Sequence, residues 1–348
     1  MGESKLKKLT KQNEFYLLFT VIALIIIISA INPTFATASS AVDIVRSGIE
    51  LAIFSIGMYL VIVSGGIDIS CAAIGMFSMF TATKILFTIQ FTGPVIVFYI
   101  LSACFGLAWG FVNGTVITRL KIHPMIATLG TNGLMMGILL FFIGSREISD
   151  VPPGIRIENK NFMFTVTNEY GISSSLPFTF LIFIGIAVAT FVLVKYTMLG
   201  RNIYAIGGDE TSAERIGINV RKTKLFVYCY AGVIFGLGGM VHTVMMANSN
   251  PVDLTGKEML IIAAVVIGGA RFTGGHGTIF GTLMGVLIIT IINNSLILIG
   301  IPSFWQRFFT GVIIVLGASI TAYQALRNSR RMNVEVSLPD IDTKGGQA

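Results

Sequence analysis

The sequence predicts an all-α polytopic membrane protein of about ten transmembrane helices, with both termini in the cytoplasm. Three observations predict it. Hydrophobic residues make up 54% of the 348 and charged residues only 12%, with a mean hydropathy of +0.82, a balance outside that of soluble domains. Ten apolar stretches follow one another between Phe15 and Tyr323. Lysine and arginine fall unevenly on alternate connections, 17 on one side and 7 on the other, the bias that fixes orientation during insertion.

In order, the stretches are Phe15–Ile31, Leu51–Val63, Ile69–Phe87, Pro94–Thr118, Pro124–Ile143, Pro177–Val194, Leu225–Met246, Met259–Gly269, Thr278–Ile299 and Phe308–Tyr323. Most approach the roughly 20 residues a helix needs to cross hydrocarbon. Formal charge is almost absent inside them, and backbone facing lipid must satisfy its own hydrogen bonds, so helices rather than a barrel are expected. Phe15–Ile31 is read as a retained helix, because its 17 residues exceed the about 7–15 of a secretory signal core and other spans follow at once.

Placing the amino terminus inside puts Lys5, Arg119, Lys121, Arg215, Arg221, Lys224 and Arg331 among the 17 cytoplasmic basic residues, and Arg46, Arg156 and Lys257 among the 7 outside. The span number is then even. The net charge of +7 is thus a topology signal. Its scatter over many loops, without interleaved aromatics, excludes a nucleic-acid surface. The expected layout is a transmembrane domain over residues 1–325 and a polar cytoplasmic tail over 326–348. The longest external loop, 145–176, holds Val151-Pro152-Pro153-Gly154 and is expected to form a small ordered cap.

Enzyme chemistry is not indicated. No phosphate-cradling G-x-x-x-x-G-K-[ST] loop occurs, nor any H-E-x-x-H, and Cys71, Cys104 and Cys229 match neither metal nor redox spacing. No cofactor or metal is expected in this chain. Glu50, Asp68 and Glu258 stand at the ends of apolar runs, where water is expected to reach them. A gradient-driven carrier keeps a carboxylate within the bundle, so the energy source is expected outside the chain and the cargo without strong charge.

One loop, 200–224, is well charged and reads GGDETSAERIGINVRKTK from Gly207 to Lys224. Asp209 or Thr211 can cap a helix there, Glu214 follows Thr211 at capping-box spacing, and Gly217 is placed to end it. Ala213 and Ile216 are expected to share a face. A helix of about two turns is not stable alone in water, so Asp209, Glu210, Thr211, Glu214, Arg215 and Gly217 either dock on a partner or form a solvated loop.

Two glycine-rich interruptions form the second informative pair. Apolar segments stop at Ser64-Gly65-Gly66-Ile67-Asp68-Ile69-Ser70 and at Gly268-Gly269-Ala270-Arg271-Phe272-Thr273-Gly274-Gly275-His276-Gly277. Short apolar segments broken by glycine in both halves mark either the pathway of a repeat-built transporter or close helix packing. Asn113, Asn132, Asn293 and Asn294 are candidates either to replace water around hydroxyl groups along such a pathway or to bond helix to helix.

These segments resemble the permease subunits of bacterial ABC importers of the ribose-type monosaccharide family. The resemblance is carried by SGGIDIS at Ser64–Ser70, GFVNGTVITRLKIHPMIATLGT at Gly110–Thr131, AIGGDETSAERIGINV at Ala205–Val220, GGARFTGGHGTIFGTLMG at Gly268–Gly285 and NNSLILIGIPSFWQ at Asn293–Gln306, in that order. His123 and Ala270-Arg271 depart from the family pattern, which has a second proline and small polar residues there. The resemblance implies a ten-helix subunit of the bacterial inner membrane, paired with itself or a similar permease. It also implies two cytoplasmic ATPase subunits that use ATP and Mg, and a periplasmic sugar-binding protein. In it, Asp209–Gly217 is the coupling helix seated on the ATPase, and the cargo is a neutral monosaccharide or sugar-like molecule. The alternative from another class is a self-sufficient carrier or channel for a neutral polar solute.

The topology is tested by single cysteines. Asn159→Cys should react with an impermeant thiol reagent from outside intact cells and Asn219→Cys should not; the reverse pattern would invert the assignment.

Overall fold

In the computed structural model residues 13–298 are described, apart from 169, 170 and 172, together with Trp305, Phe308, Gly311, Val312 and Val315. The expected run Phe308–Tyr323 lies outside the described residues except at isolated positions, and the tail 326–348 lies outside them altogether. Helices dominate: α1 (Asn13–Ile31), α2 (Ala38–Val63), α3 (Cys71–Thr88), α4 (Ile96–Leu120), α5 (Pro124–Ile138, continued as a π-turn over Leu139–Ile143) and the short α6 (Pro153–Asn159). After a hairpin of β1 (Phe162–Thr167) and β2 (Ser173–Pro177) come α7 (Thr179–Tyr196), α8 (Met198–Gly208), α9 (Glu210–Arg215), α10 (Val220–Met246), α11 (Lys257–Ile267) and α12 (Ile279–Leu298). Among the described residues, seven helices are long and apolar enough to cross a membrane: α2, α3, α4, α5 with its π-turn, α7, α10 and α12.

The second apolar run was expected to begin at Leu51, but α2 begins at Ala38 and runs for 26 residues. Thr37 caps it, its hydroxyl accepting from the Ser40 amide at 3.3 Å. Asp43, Arg46 and Glu50 lower the hydropathy of the first half without breaking the helix. Glu50 therefore stands in the middle of a span rather than at its end.

Helix α10 is the centre of the bundle and packs on α4, α3 and α2. Its tightest partner is α4, because small residues recur every four positions on the facing stripes: Ser102, Gly106 and Gly110 on one, Gly232 and Gly236 on the other, with Gly110 against the Tyr228 backbone. A Cβ at Gly106 would stand 2.1 Å from the Gly232 carbonyl oxygen, and one at Gly232 would stand 2.3 Å from that of Gly106. The Ser102 hydroxyl donates to the Gly236 carbonyl at 2.7 Å. Such close approach replaces the hydrophobic drive that helices lack in lipid. Around this core, α1, α5 and α7 turn large apolar side chains outward, among them Phe19, Ile126 and Val188.

Within the loop 145–176 the described residues form α6 and a hairpin, the only two-stranded sheet among the described residues. Strands β1 and β2 pair antiparallel with Thr165 opposite Ser175. The Ser174 hydroxyl donates to Asp43 of α2 at 2.7 Å, and the Asn159 amide donates to the Val244 and Met245 carbonyls of α10 at 2.8 and 3.0 Å. The cap thus holds the ends of α2 and α10 together. At the opposite end of the bundle gather the connection 64–70, the end of α8 at 207–208 and the turn 270–277.

Gly106→Val should drive α4 from α10 at a cost of about 3 kcal/mol or more and abolish recovery of monodisperse protein from detergent. At Gly130 of α5 a Cβ meets nothing within 4 Å, so Gly130→Ala should leave recovery unchanged. Equal recovery of both variants would show that the α4–α10 contact is looser than described.

Candidate functional site

The two glycine breaks meet. The Gly275 amide donates to the Val63 carbonyl at 2.9 Å, tying the end of α2 to the turn after α11. Between them sits Gly207 of α8, where a Cβ would lie 1.8 Å from the Val63 oxygen and 2.5 Å from the Gly275 nitrogen. Gly65 and Gly269 take φ of +84° and +95°, which a side chain resists. Tyr204 of α8 completes the seam, donating to the Gly277 carbonyl at 2.7 Å and meeting Tyr59 of α2, oxygen to oxygen, at 2.6 Å. Gly65 is therefore a turn position against α8, Gly66 packs toward Tyr228 of α10, Gly268 packs on Gly281 and Thr282 of α12, and Gly269 is a turn position; Gly207 and Tyr204 of α8 belong to the seam with Gly65, Gly274 and Gly275. Nothing in the sequence around Gly207 marks it as the meeting point, because its partners are more than 60 residues away.

Helix α9 follows this seam after a single residue. Asp209 is its cap: its carboxylate accepts from the Thr211 amide at 2.9 Å, the Ser212 amide at 3.2 Å and both hydroxyls. The Thr211 hydroxyl foremost, with the Ser212 amide and hydroxyl, holds the Asp209 carboxyl down at about 2. The capping-box reading of Glu214 is corrected here, because with Asp209 as the cap the box position falls on Ser212. Gly217 ends the helix at φ +87°. Its amide bonds the Glu214 carbonyl at 3.0 Å while that of Ile218 reaches back to Ala213 at 3.1 Å, the paired bonds of a Schellman end. Ala213 is buried against Ile206 and Val220. Ile216 was expected to share the face of Ala213, but it stands 75% exposed. Thr211, Glu214 and Arg215 are exposed as well, and Glu210 pairs with Lys224 at 2.5 Å.

Above the seam, the segment 66–70 is buried among helices. Asp68 is only 1% exposed, contrary to the expectation that water reaches it. Its carboxylate accepts from the Ser70 amide and hydroxyl at 2.8 and 2.5 Å, and Asn113 of α4 donates to the Ser70 hydroxyl at 2.8 Å. The Ile69 amide donates to Thr128 of α5 at 3.1 Å. Burial pushes the Asp68 carboxyl up to about 6 against these bonds from Ser70. Asn113 is thus an interhelical link. Asn132, on α5, is partly exposed and belongs to neither cluster.

A second polar cluster lies toward the capped end. Glu50 of α2 receives His242 of α10 and Lys257 of α11, each at 2.7 Å, and the other ring nitrogen of His242 lies 3.1 Å from Asp253. The expected absence of a carboxylate within the bundle is therefore corrected: Glu50 is present there, bonded by His242 and paired with Lys257, 192 and 207 residues away in sequence. Asn293 and Asn294, on α12, line a cavity beside it.

Over residues 40–318 the sequence matches the family described as branched-chain amino acid transport system / permease component. This chain belongs to that permease family. It is 32% identical over 315 residues to the ribose import permease protein of Haemophilus influenzae, covering 90% of this chain and 94% of the relative. With the galactose/methyl galactoside import permease protein of Salmonella typhimurium it shares 32% over 255 residues, 72% and 73% of the two chains. A probable ABC transporter permease protein of Escherichia coli is 30% identical over 319 residues, 91% and 92% of the two. No solved structure matches the chain. The family and the apolar helices make it a multi-pass inner-membrane permease, and the ribose-type resemblance holds over nearly its whole length.

Asp68 gives the seam a pH dependence with a definite sign. Its folded value exceeds the ordinary 3.8, so its contribution to stability is fully present below about pH 4 and is lost as pH rises through about 6. Asp68→Asn should therefore melt a few degrees above the wild type at about pH 8, with the gap closing toward pH 4. A gap that does not change with pH would place the titration elsewhere.

Proposed function

We propose that this chain is the translocation subunit of an ATP-driven ABC importer that carries a neutral monosaccharide or sugar-like molecule into the cytoplasm. Its relatives' names supply the sugar class. In this reading the transmembrane domain covers 1–325 with ten spans, and both termini and the tail 326–348 are cytoplasmic. The chain holds no cofactor of its own; ATP and Mg are used by cytoplasmic ATPase subunits, and a periplasmic or surface binding protein delivers the sugar. A second copy or a similar permease completes the pathway. Gly130, Gly133 and Gly137 of α5 face open space, where another helix can approach closely.

The observation that carries the proposal is the placement of α9. A two-turn helix capped at both ends, with Ile216 and Arg215 outward, is attached after one residue to a seam that grips both glycine breaks. A push on α9 by a closing ATPase dimer is delivered through Gly207 to Val63 and Gly275 together. Asp209, Glu210, Thr211, Glu214, Arg215 and Gly217 form and present this coupling helix; Gly65, Gly66, Asp68, Gly268 and Gly269 form the element it moves.

Buried Glu50 favours a second reading, a self-sufficient gradient-driven carrier, since such carriers hold a carboxylate within the bundle. Its ion pair with Lys257 and its hydrogen bond with His242 weigh against it. Co-purification separates the two: the importer reading requires an ATPase subunit to accompany the chain. Arg215→Glu and Ile216→Glu should lower uptake tenfold or more and abolish stimulation of ATP hydrolysis by loaded binding protein, with membrane abundance unchanged. Unaltered stimulation in both variants would remove α9 from the coupling path.

A further inference from the structure

Two cavities at the capped end of the bundle share a wall. The outer one, about 440 Å³, lies among Phe35, Ser40, Asp43, Arg46, Met245 and Met246, at the ends of α2 and α10 that the hairpin cap holds. The deeper one, about 220 Å³, is lined on its polar side by Glu50, Lys257, Thr290, Asn293 and Asn294, and on its apolar side by Phe54, Leu260 and Ile261. Ser47 and Asn294 line both. They are joined by a hydrogen bond from the Asn294 amide to the Ser47 hydroxyl at 2.7 Å, which bridges α12 and α2.

The deeper cavity has the chemistry of a site for a small polyhydroxylated ring. Its volume equals about seven waters at ~30 Å³ each, below the range of drug-sized pockets. One pentose or hexose ring would displace that water. The charges on its wall are already compensated, since Glu50 is held by both Lys257 and His242, so a charged ligand gains no unpaired partner. What is left over is hydrogen-bonding capacity. Lys257 uses one of its three protons on Glu50, and Asn294 keeps its amide oxygen after bonding Ser47. Opposite stands an apolar wall, with the Phe54 ring in it, suited to the carbon face of a sugar.

We propose that this cavity is a monosaccharide-binding station within the permease, entered from the outer cavity past the Ser47–Asn294 hydrogen bond as its gate. The station rests on the importer reading but adds a site within one subunit. Glu50, itself held by His242, positions the Lys257 ammonium; Lys257 and Asn294 meet the hydroxyls.

The test uses the full transport complex bearing Ser47→Cys, probed with a small methanethiosulfonate reagent and read at that peptide by mass spectrometry. D-ribose or D-galactose at millimolar concentration should slow modification at least threefold, while the same concentration of glycine betaine should not. Adding Lys257→Met should remove the protection, as should Leu260→Phe, which fills the cavity without touching the charges. Equal rates with and without either sugar would overturn the station, as would protection that survives both substitutions. Uptake of labelled sugar by the same complex separates the two ideas. Uptake without protection rejects the station and leaves the importer standing. A complex that neither takes up sugar nor hydrolyses ATP in response to loaded binding protein rejects both.

Discussion

Where lipid replaces water, helices gain little by burying apolar side chains against one another, and contact between backbones takes over. In this permease that contact is made between α4 and α10 through Gly106 and Gly232, where no side chain separates the two main chains. The same device recurs where α8 meets α2 and the turn after α11, at Gly207, Val63 and Gly275. Everything else in the bundle is arranged around these two contacts. Helix α10 carries Tyr228 to the buried Asp68 segment at one level and His242 to Glu50 at another, and it can do both only because its register on α4 is fixed.

Two such rigid contacts separated by an irregular segment make a device with few ways to move. Close-packed interiors shift between discrete arrangements rather than deforming smoothly. The segment 66–70 is neither helix nor strand, is mostly buried, and is bonded through Ser70 and Thr128 to α4 and α5. Non-helical backbone is tolerated there because protein surrounds it.

Much of the helical layout was legible in the sequence, because apolar length and charge placement act locally and additively. The start of α2 was not. Asp43, Arg46 and Glu50 read as the flank of a span when their partners are unknown, and Ser174, Lys257 and His242 lie over a hundred residues away. The capped helix after Asp209 was visible for the opposite reason: caps are short-range chemistry, and Gly217 ends the helix as placed. Which residue serves as the cap decides the role of Glu214, and that depended on backbone geometry between two acceptable residues. The glycine breaks announced themselves as interruptions, but their meeting through Gly207 is a tertiary fact with no local signature.

Ala213 is the one buried residue of α9, and Glu210 pairs with Lys224; Thr211, Ser212, Glu214 and Arg215, with Ile216 just beyond the helix, stand in solvent. In the proposed importer, the surface offered to the motor is then a cassette of a few consecutive residues, bounded by Asp209 and Gly217, whose caps keep its shape whatever the outward side chains are. On that reading, exchanging the cassette for the one from another permease would readdress this subunit to a different motor without disturbing the bundle.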